Sequence, residues 1–234
     1  MQANLNPEEL DKFADLAATW WDERGPCRPL HDLNPCRLDY LRARMELSGA
    51  AIADVGCGGG IFSEALARKG ARVTGIDATR ELIDAAREHA LESAIEIDYR
   101  LGTSSELAAS DAARFDAVVC MELVEHVPDP DALLKDCARM VKPNGLLVVS
   151  TLNRTPEAYA LGIVAAEYAF SLLPRGTHDY ANFIKPSELA RSARRYGLVL
   201  EDVSGMAYNP LTRHARLRRS PVINYFASFR RTGA

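Results

Sequence analysis

The chain has 234 residues, and 28 Lys and Arg against 32 Asp and Glu leave a formal net charge of −4, so its overall electrostatics give no case for a nucleic-acid partner. That length suits one domain, residues 1–234, built on one large core. Five cysteines, Cys27, Cys36, Cys57, Cys120 and Cys137, are odd in number and form no C-x-x-C pair, which excludes a disulfide framework or zinc site and reads as reduced thiols of a cytoplasmic compartment. Met1-Gln2-Ala3-Asn4-Leu5 has no charged head followed by an apolar run, so no secretion signal is expected.

Asn6-Pro7-Glu8-Glu9 supplies a cap, a proline at the first helical position and first-turn acids, which predicts a helix over 7–21. Phe13, Leu16, Ala17 and Trp20 repeat along it at helical spacing. Pro26 and Pro29 break the chain, and His31 to Arg44 resumes a helical pattern, completing an N-terminal helical cap over 1–47. Strands are predicted at Ala51–Val55, Arg72–Asp77, Ile95–Arg100, Phe115–Met121 and Leu146–Thr151. They alternate with helices at 61–69, 80–92, 104–109 and 130–140, and Leu198–Val203 and Val222–Phe229 add two late strands. This is the pattern of a doubly wound, mostly parallel, seven-stranded α/β sheet whose ligands bind at the carboxyl ends of the strands. An apolar helical insert over 155–182 follows the fifth strand, and within it residues 158–173 carry a single charge, Glu167. That stretch is too short and too interrupted for a membrane span. It reads as a buried helix, a lid over a pocket, or an interfacial helix on lipid, the last disfavoured by its lack of Lys and Arg.

The first strand runs into Asp54-Val55-Gly56-Cys57-Gly58-Gly59-Gly60, where glycines let a ligand approach the backbone closely. The second strand ends at Asp77, placed to accept hydrogen bonds from a ribose diol. Ile61 follows Gly60, so the G-x-G-x-x-G spacing of dinucleotide sites is missing, and no Lys-Ser/Thr pair of a P-loop follows. Asp54 suits a cationic amino or sulfonium group better than a pyrophosphate. Together with Gly75-Ile76-Asp77, the segment resembles motifs I and II of class I S-adenosylmethionine (AdoMet) methyltransferases, which implies a Rossmann-like fold. Transfer of a methyl group from a sulfonium needs an aligned nucleophile. A phenolic hydroxyl, with a pKa of about 10, also needs a base or a metal. If the chain turns helically after the fourth strand, Glu122, Glu125 and His126 fall at i, i+3 and i+4 on one face. They would then hold one divalent ion, Mg²⁺ being the expected one. The alternatives are metal-free catalysis with His126 as base, or a structural role. Met121, by its soft thioether, also reads as an ordinary core filler. On the residues alone Arg37 is a solvated surface arginine, His178 and Asp179 are as well placed for a loop as for a pocket entrance, and Arg213 to Arg219 is a basic loop, solvated or facing anionic lipid headgroups.

Segments outside the cofactor core narrow the reading. Trp20-Trp21-Asp22, Pro29-Leu30-His31, Asn34-Pro35-Cys36-Arg37-Leu38, Cys120-Met121-Glu122 and Glu125-His126-Val127-Pro128-Asp129-Pro130 appear in order. Ser150-Thr151-Leu152-Asn153-Arg154, Gly176-Thr177-His178-Asp179, Phe183-Ile184-Lys185-Pro186 and Tyr208-Asn209-Pro210 follow. From about Asn4 to Phe226 the set resembles the ubiquinone-biosynthesis O-methyltransferase family. The resemblance implies methylation of ring hydroxyls of polyprenylated phenols and quinols at two steps, 2-polyprenyl-6-hydroxyphenol and 3-demethylubiquinol. It puts the AdoMet contacts on Arg37, Gly56, Asp77 and Met121, beside Asp54 and Gly58, and the metal on Glu122, Glu125 and His126. It also implies contact with the inner face of the cytoplasmic membrane, for which 158–173 is the candidate segment, and with other enzymes of the pathway. The Arg-rich run at 213–219 departs from the family pattern. The cofactor core alone would equally serve another small phenolic or carboxylic acceptor.

Overall fold

A computed structural model describes residues 4–159 and 180–233 of the chain. Its strands are β1 (Ala51–Val55), β2 (Arg72–Asp77), β3 (Asp98–Leu101), β4 (Phe115–Met121), β5 (Val141–Leu152), β6 (Leu198–Asn209), β7 (His214–Arg218) and β8 (Asn224–Arg231). They form one sheet in the order β3-β2-β1-β4-β5-β8-β6-β7. The first five pair in parallel, β8 lies antiparallel between β5 and β6, and β7 pairs antiparallel with β6.

The helices are α1 (Pro7–Ala14), α2 (Arg28–Arg42), α3 (Ile61–Ala67), α4 (Arg80–Glu92), α5 (Ser104–Ser110), α6 (Pro130–Met140), α7 (Pro156–Ala158) and α8 (Pro186–Arg194). Short 3₁₀ turns occupy Ala17–Thr19 and Tyr180–Asn182. The central strands are apolar on both faces, as parallel strands covered by helices must be. Ala53, Val55, Val118, Cys120, Leu147 and Val149 pack on one side with residues of α5, α6 and α8. Their neighbours in sequence, Ile52, Ala117, Val119, Met121, Leu146 and Val148, pack on the other with α2 and α3. The period-two alternation of a strand divides them so.

The doubly wound, mostly parallel sheet expected from the sequence is present, with eight strands where seven were predicted. The added strand is β7, in the run read as a loop. Its ladder with β6 pairs Leu217 with Met206 and Ala215 with Tyr208, an apolar alternation hidden between arginines. Arg213, just before it, is tied to α2 by Asp32, with Nε–Oδ1 at 3.0 Å. Helix α8 was also unpredicted. It opens on Pro186 with Glu188 at its third position bonding back to the Lys185 N–H, and buries Leu189 and Ala193. The predicted 7–21 helix is two pieces, α1 and the 3₁₀ turn at Ala17–Thr19. Pro29 opens α2 rather than breaking the chain, and Pro35 sits inside that helix. No helix among the described residues is long and apolar enough to cross a membrane. Most of the apolar stretch 158–173, with His178 and Asp179, lies outside the described residues.

Candidate active site

The carboxyl ends of β1, β2 and β4 open on a cavity of about 840 Å³, a volume within the range of small-molecule sites. Gly56 and Gly58 leave β1 with φ of 72° and 54°, in the left-handed region that favours glycine. A Cβ on Gly56 would meet Leu123 at 2.7 Å, and one on Gly58 would meet Trp20 at 2.5 Å. The glycines therefore admit the N-terminal cap as well as a ligand. Trp21 fastens that cap by donating from Nε1 to the Gly59 carbonyl at 2.9 Å.

Asp77, at the tip of β2, accepts the Gly58 N–H on Oδ2 at 3.0 Å and the Thr79 N–H on Oδ1 at 2.8 Å. These bonds fix its rotamer, and each oxygen keeps a further lone pair for a diol. Asp54 is buried, accepts from Ser63 Oγ at 2.6 Å, and is pushed up to about pKa 6 by its burial. Met121, buried at the end of β4, lines the same cavity.

Arg37 is a buried residue of the cavity wall, not the surface arginine its local sequence suggests. Its guanidinium pairs with Glu122, while its Nε–H has no acceptor among the described residues. Glu122 has φ of 48°, so the chain does not enter a helix there. Its N–H donates to the Ser150 carbonyl at 3.1 Å, and its Oε1 accepts from Ser150 Oγ at 2.7 Å. Buried Glu125 accepts from Thr151 Oγ1 at 2.9 Å. Burial raises its pKa, and its Oε1 has no partner among the described residues. His126 bonds through Nδ1 to Glu9 Oε2 at 2.7 Å, with Phe13 edge-on to its ring at 5.3 Å. Burial works to lower the His126 pKa, but the Glu9 bond and the nearby carboxylates outweigh it and hold the imidazole above its ordinary value.

Residues 53–149 match a family described as "Methyltransferase domain". A ubiquinone biosynthesis O-methyltransferase of Xanthomonas oryzae pv. oryzae (strain PXO99A) is 57% identical over 224 residues, covering 96% of this chain and 94% of the relative. One from Xanthomonas axonopodis pv. citri (strain 306) is 56% identical over 225 residues, with the same coverage. The chain belongs to the ubiquinone-biosynthesis O-methyltransferase family. Among solved structures, this family member resembles magnesium protoporphyrin IX methyltransferase from Synechocystis PCC 6803, with a TM-score of 0.66 and 16% identity over 99% of this chain and 100% of the other. At that identity the likeness is one of fold.

In this O-methyltransferase the walls suit AdoMet. The buried, unmatched Nε–H of Arg37 calls for an anionic acceptor such as the AdoMet carboxylate. Asp77 is held in place with acceptor capacity left for a hydroxyl ligand. The described lining carries Glu9, Asp54, Asp77, Glu106, Glu122 and Glu125, with Arg37 alone among Lys and Arg, a surplus of carboxylates that favours a sulfonium. Magnesium is a different case. Glu122, Glu125 and His126 line one cavity, but the turn at Glu122 sends them to separate partners, Arg37 and Ser150, Thr151, and Glu9. No metal-holding group of three His, Cys, Asp or Glu side chains occurs among the described residues, so the donors as arranged do not fit a shared ion. From the sequence Glu9 reads as a first-turn acid, and Trp20 as part of a helix face and of the Trp20-Trp21-Asp22 segment, with no contact to the site assigned to either. Their partners lie far along the chain, and no local signal marks them.

Proposed function

We propose that the chain transfers the methyl group of AdoMet to a ring hydroxyl of a polyprenylated catechol or demethylubiquinol in ubiquinone biosynthesis, with His126 as general base. The observation that carries this reading is one cavity lined both by the cofactor groups Gly56, Gly58, Asp77 and Met121 and by His126. AdoMet, when bound, supplies an electrophilic methyl for in-line displacement. Asp77 would hold its ribose, Arg37 its carboxylate and Met121 its adenine. His126 takes the hydroxyl proton as the ring oxygen attacks, so a group of pKa about 10 reacts near neutrality. The apolar side chains of Leu10, Phe13, Leu16, Leu30 and Leu33, which line the same cavity, limit water there.

A polyprenyl tail loses about 0.8 kcal/mol per CH₂ on leaving lipid for water, so its enzyme must come to the membrane or enclose the tail. We assign that contact to residues 158–173, and deletion of 159–173 is expected to abolish liposome binding while AdoMet binding survives. Unchanged liposome partitioning would remove the assignment. Other enzymes of the pathway are the natural source and destination of so insoluble a substrate. A magnesium ion on Glu122, Glu125 and His126 would require Glu122 to leave Arg37 and the three donors to converge. The test of the whole reading is tritiated-methyl transfer to a short-chain demethylubiquinol, with EDTA and with Mg²⁺. Label on the ring oxygen in both conditions is expected for His126 acting alone. Label only with Mg²⁺ would replace that role by the carboxylate–metal one, and no label at all would overturn the proposed activity.

A further inference from the structure

Helix α1 buries none of its residues, yet it supplies the partner of a buried imidazole 117 positions away. The start of α1 is docked onto the loop that carries His126. Asn4 Nδ2 donates to the Asp129 carbonyl at 2.7 Å, and the Asp129 N–H donates back to Asn4 Oδ1 at 2.8 Å. Asn6 caps the helix by accepting the Glu8 N–H. One turn on, Glu9 presents Oε1 to Lys12 Nζ at 2.8 Å and Oε2 to His126 Nδ1 at 2.7 Å. Phe13, a further turn along, meets the imidazole edge-on with the rings at 86°, so the ring is held on two sides by one helix.

An ionised carboxylate can only accept. Glu9 sits between two nitrogen donors, Lys12 Nζ on one oxygen at 2.8 Å and His126 Nδ1 on the other at 2.7 Å, the arrangement of an accepting carboxylate. Nδ1 of His126 therefore carries the proton, and in the neutral ring the lone pair lies on Nε2. Partner choice at one ring nitrogen sets the chemistry of the other.

We infer that Glu9 is the positioning residue of the reaction: through Nδ1 it fixes the tautomer and orientation in which His126 receives the acceptor proton at Nε2. The inference rests on the reading of His126 as base. It makes the N-terminal cap part of the catalytic apparatus, because the base is complete only when residues 4–14 are docked. Outer-shell partners that orient a metal-ligating histidine contribute about 10- to 100-fold, and Glu9 acts on the imidazole through the same kind of bond.

The test is on full-length protein, comparing wild type, Glu9→Ala, Glu9→Gln and His126→Gln. Long-range ¹H–¹⁵N spectra report the His126 tautomer, and kinetics report kcat and KM separately. In E9A, we expect the Nδ1–H tautomer to be lost, kcat to fall about 10- to 100-fold, and acceptor KM and AdoMet Kd to stay near wild type. E9Q, which keeps an acceptor oxygen without the charge, should recover part of both the spectrum and kcat. An unchanged tautomer with unchanged kcat overturns the inference, as does a loss of activity that follows AdoMet affinity or melting temperature. Full activity in H126Q would instead remove the base reading, which separates the two failures.

Discussion

At the carboxyl ends of β1 and β2, the two carboxylates that line the cavity are set by near neighbours in the chain. Asp77 is held by Gly58 and Thr79, 19 and 2 positions away, and Asp54 by Ser63, 9 positions away. Around the loop after β4 the partners lie farther along the chain: Arg37 for Glu122 at 85 positions, Thr151 for Glu125 at 26, and Glu9 for His126 at 117. The wall proposed for the cofactor is thus built largely by the β1–β2 unit, to which the N-terminal cap adds Trp20 and Arg37. The wall proposed for the acceptor forms only once the N-terminal cap and β5 have packed against the loop after β4. Cofactor binding and acceptor chemistry should therefore respond separately to substitution.

The largest way to break this division is at Arg37, which lines the cavity and pairs with Glu122. Arg37→Ala is expected to raise the AdoMet Kd about tenfold to a hundredfold, the range for losing a charge-assisted hydrogen bond. Glu122→Gln should act in the opposite sense and tighten AdoMet about threefold, since a neutral amide competes less for the guanidinium. Calorimetric titration of both variants with AdoMet checks the pair, and a weaker affinity in E122Q would show that Glu122 supports the cofactor rather than competing for Arg37.

Within the cofactor wall, Gly58→Ala puts a Cβ 2.5 Å from Trp20 at a φ of 54°. A loss of about 1–3 kcal/mol in stability is expected for such strain, measured by urea unfolding, with weaker AdoMet binding because Trp20 must move. A variant with wild-type unfolding would mean that the cap gives way freely. The smallest effect belongs far from both walls. Burial works to raise the pKa of Asp111, but bonds from Ser110, Arg100 and Arg114 prevail and hold it below the ordinary carboxylate value. A depressed folded pKa gives stability that is fully present above the unfolded pKa of about 3.9 and is lost as pH falls through the folded value. Asp111→Asn should therefore flatten the acid side of the pH–stability curve and leave AdoMet Kd and kcat at wild-type values. A change in either kinetic quantity would show coupling that the local bonding of Asp111 does not explain.

The same division explains what could be read from the residues. Ala51–Val55, Arg72–Asp77 and Phe115–Met121 were predicted with the bounds they have, because buried parallel strands are uninterrupted apolar runs closed by glycine or acid. The Asp54 to Gly60 turn and Asp77 were legible for the same reason, being contiguous and chemically distinctive. The acceptor wall was legible in its residues, which line the cavity, but not in their arrangement. Helical spacing put Glu122, Glu125 and His126 on one face, and the left-handed backbone at Glu122, tied to Ser150, dispersed them. Arg37 read as solvated because α2 shows its burial only once it lies on the sheet. Glu9 looked like any helix-opening acid. Likewise β7 was masked by arginines whose strand pairing comes from β6, itself predicted only to Val203 although it runs on to Asn209.

The most direct test of the two-walled site is to measure AdoMet affinity and single-turnover methyl transfer on one preparation of His126→Gln protein. Wild-type AdoMet affinity with transfer to a short-chain demethylubiquinol lowered about 100- to 10,000-fold, the usual worth of a general base, is the expected result. Transfer at the wild-type rate, or loss of AdoMet binding together with transfer, would contradict it.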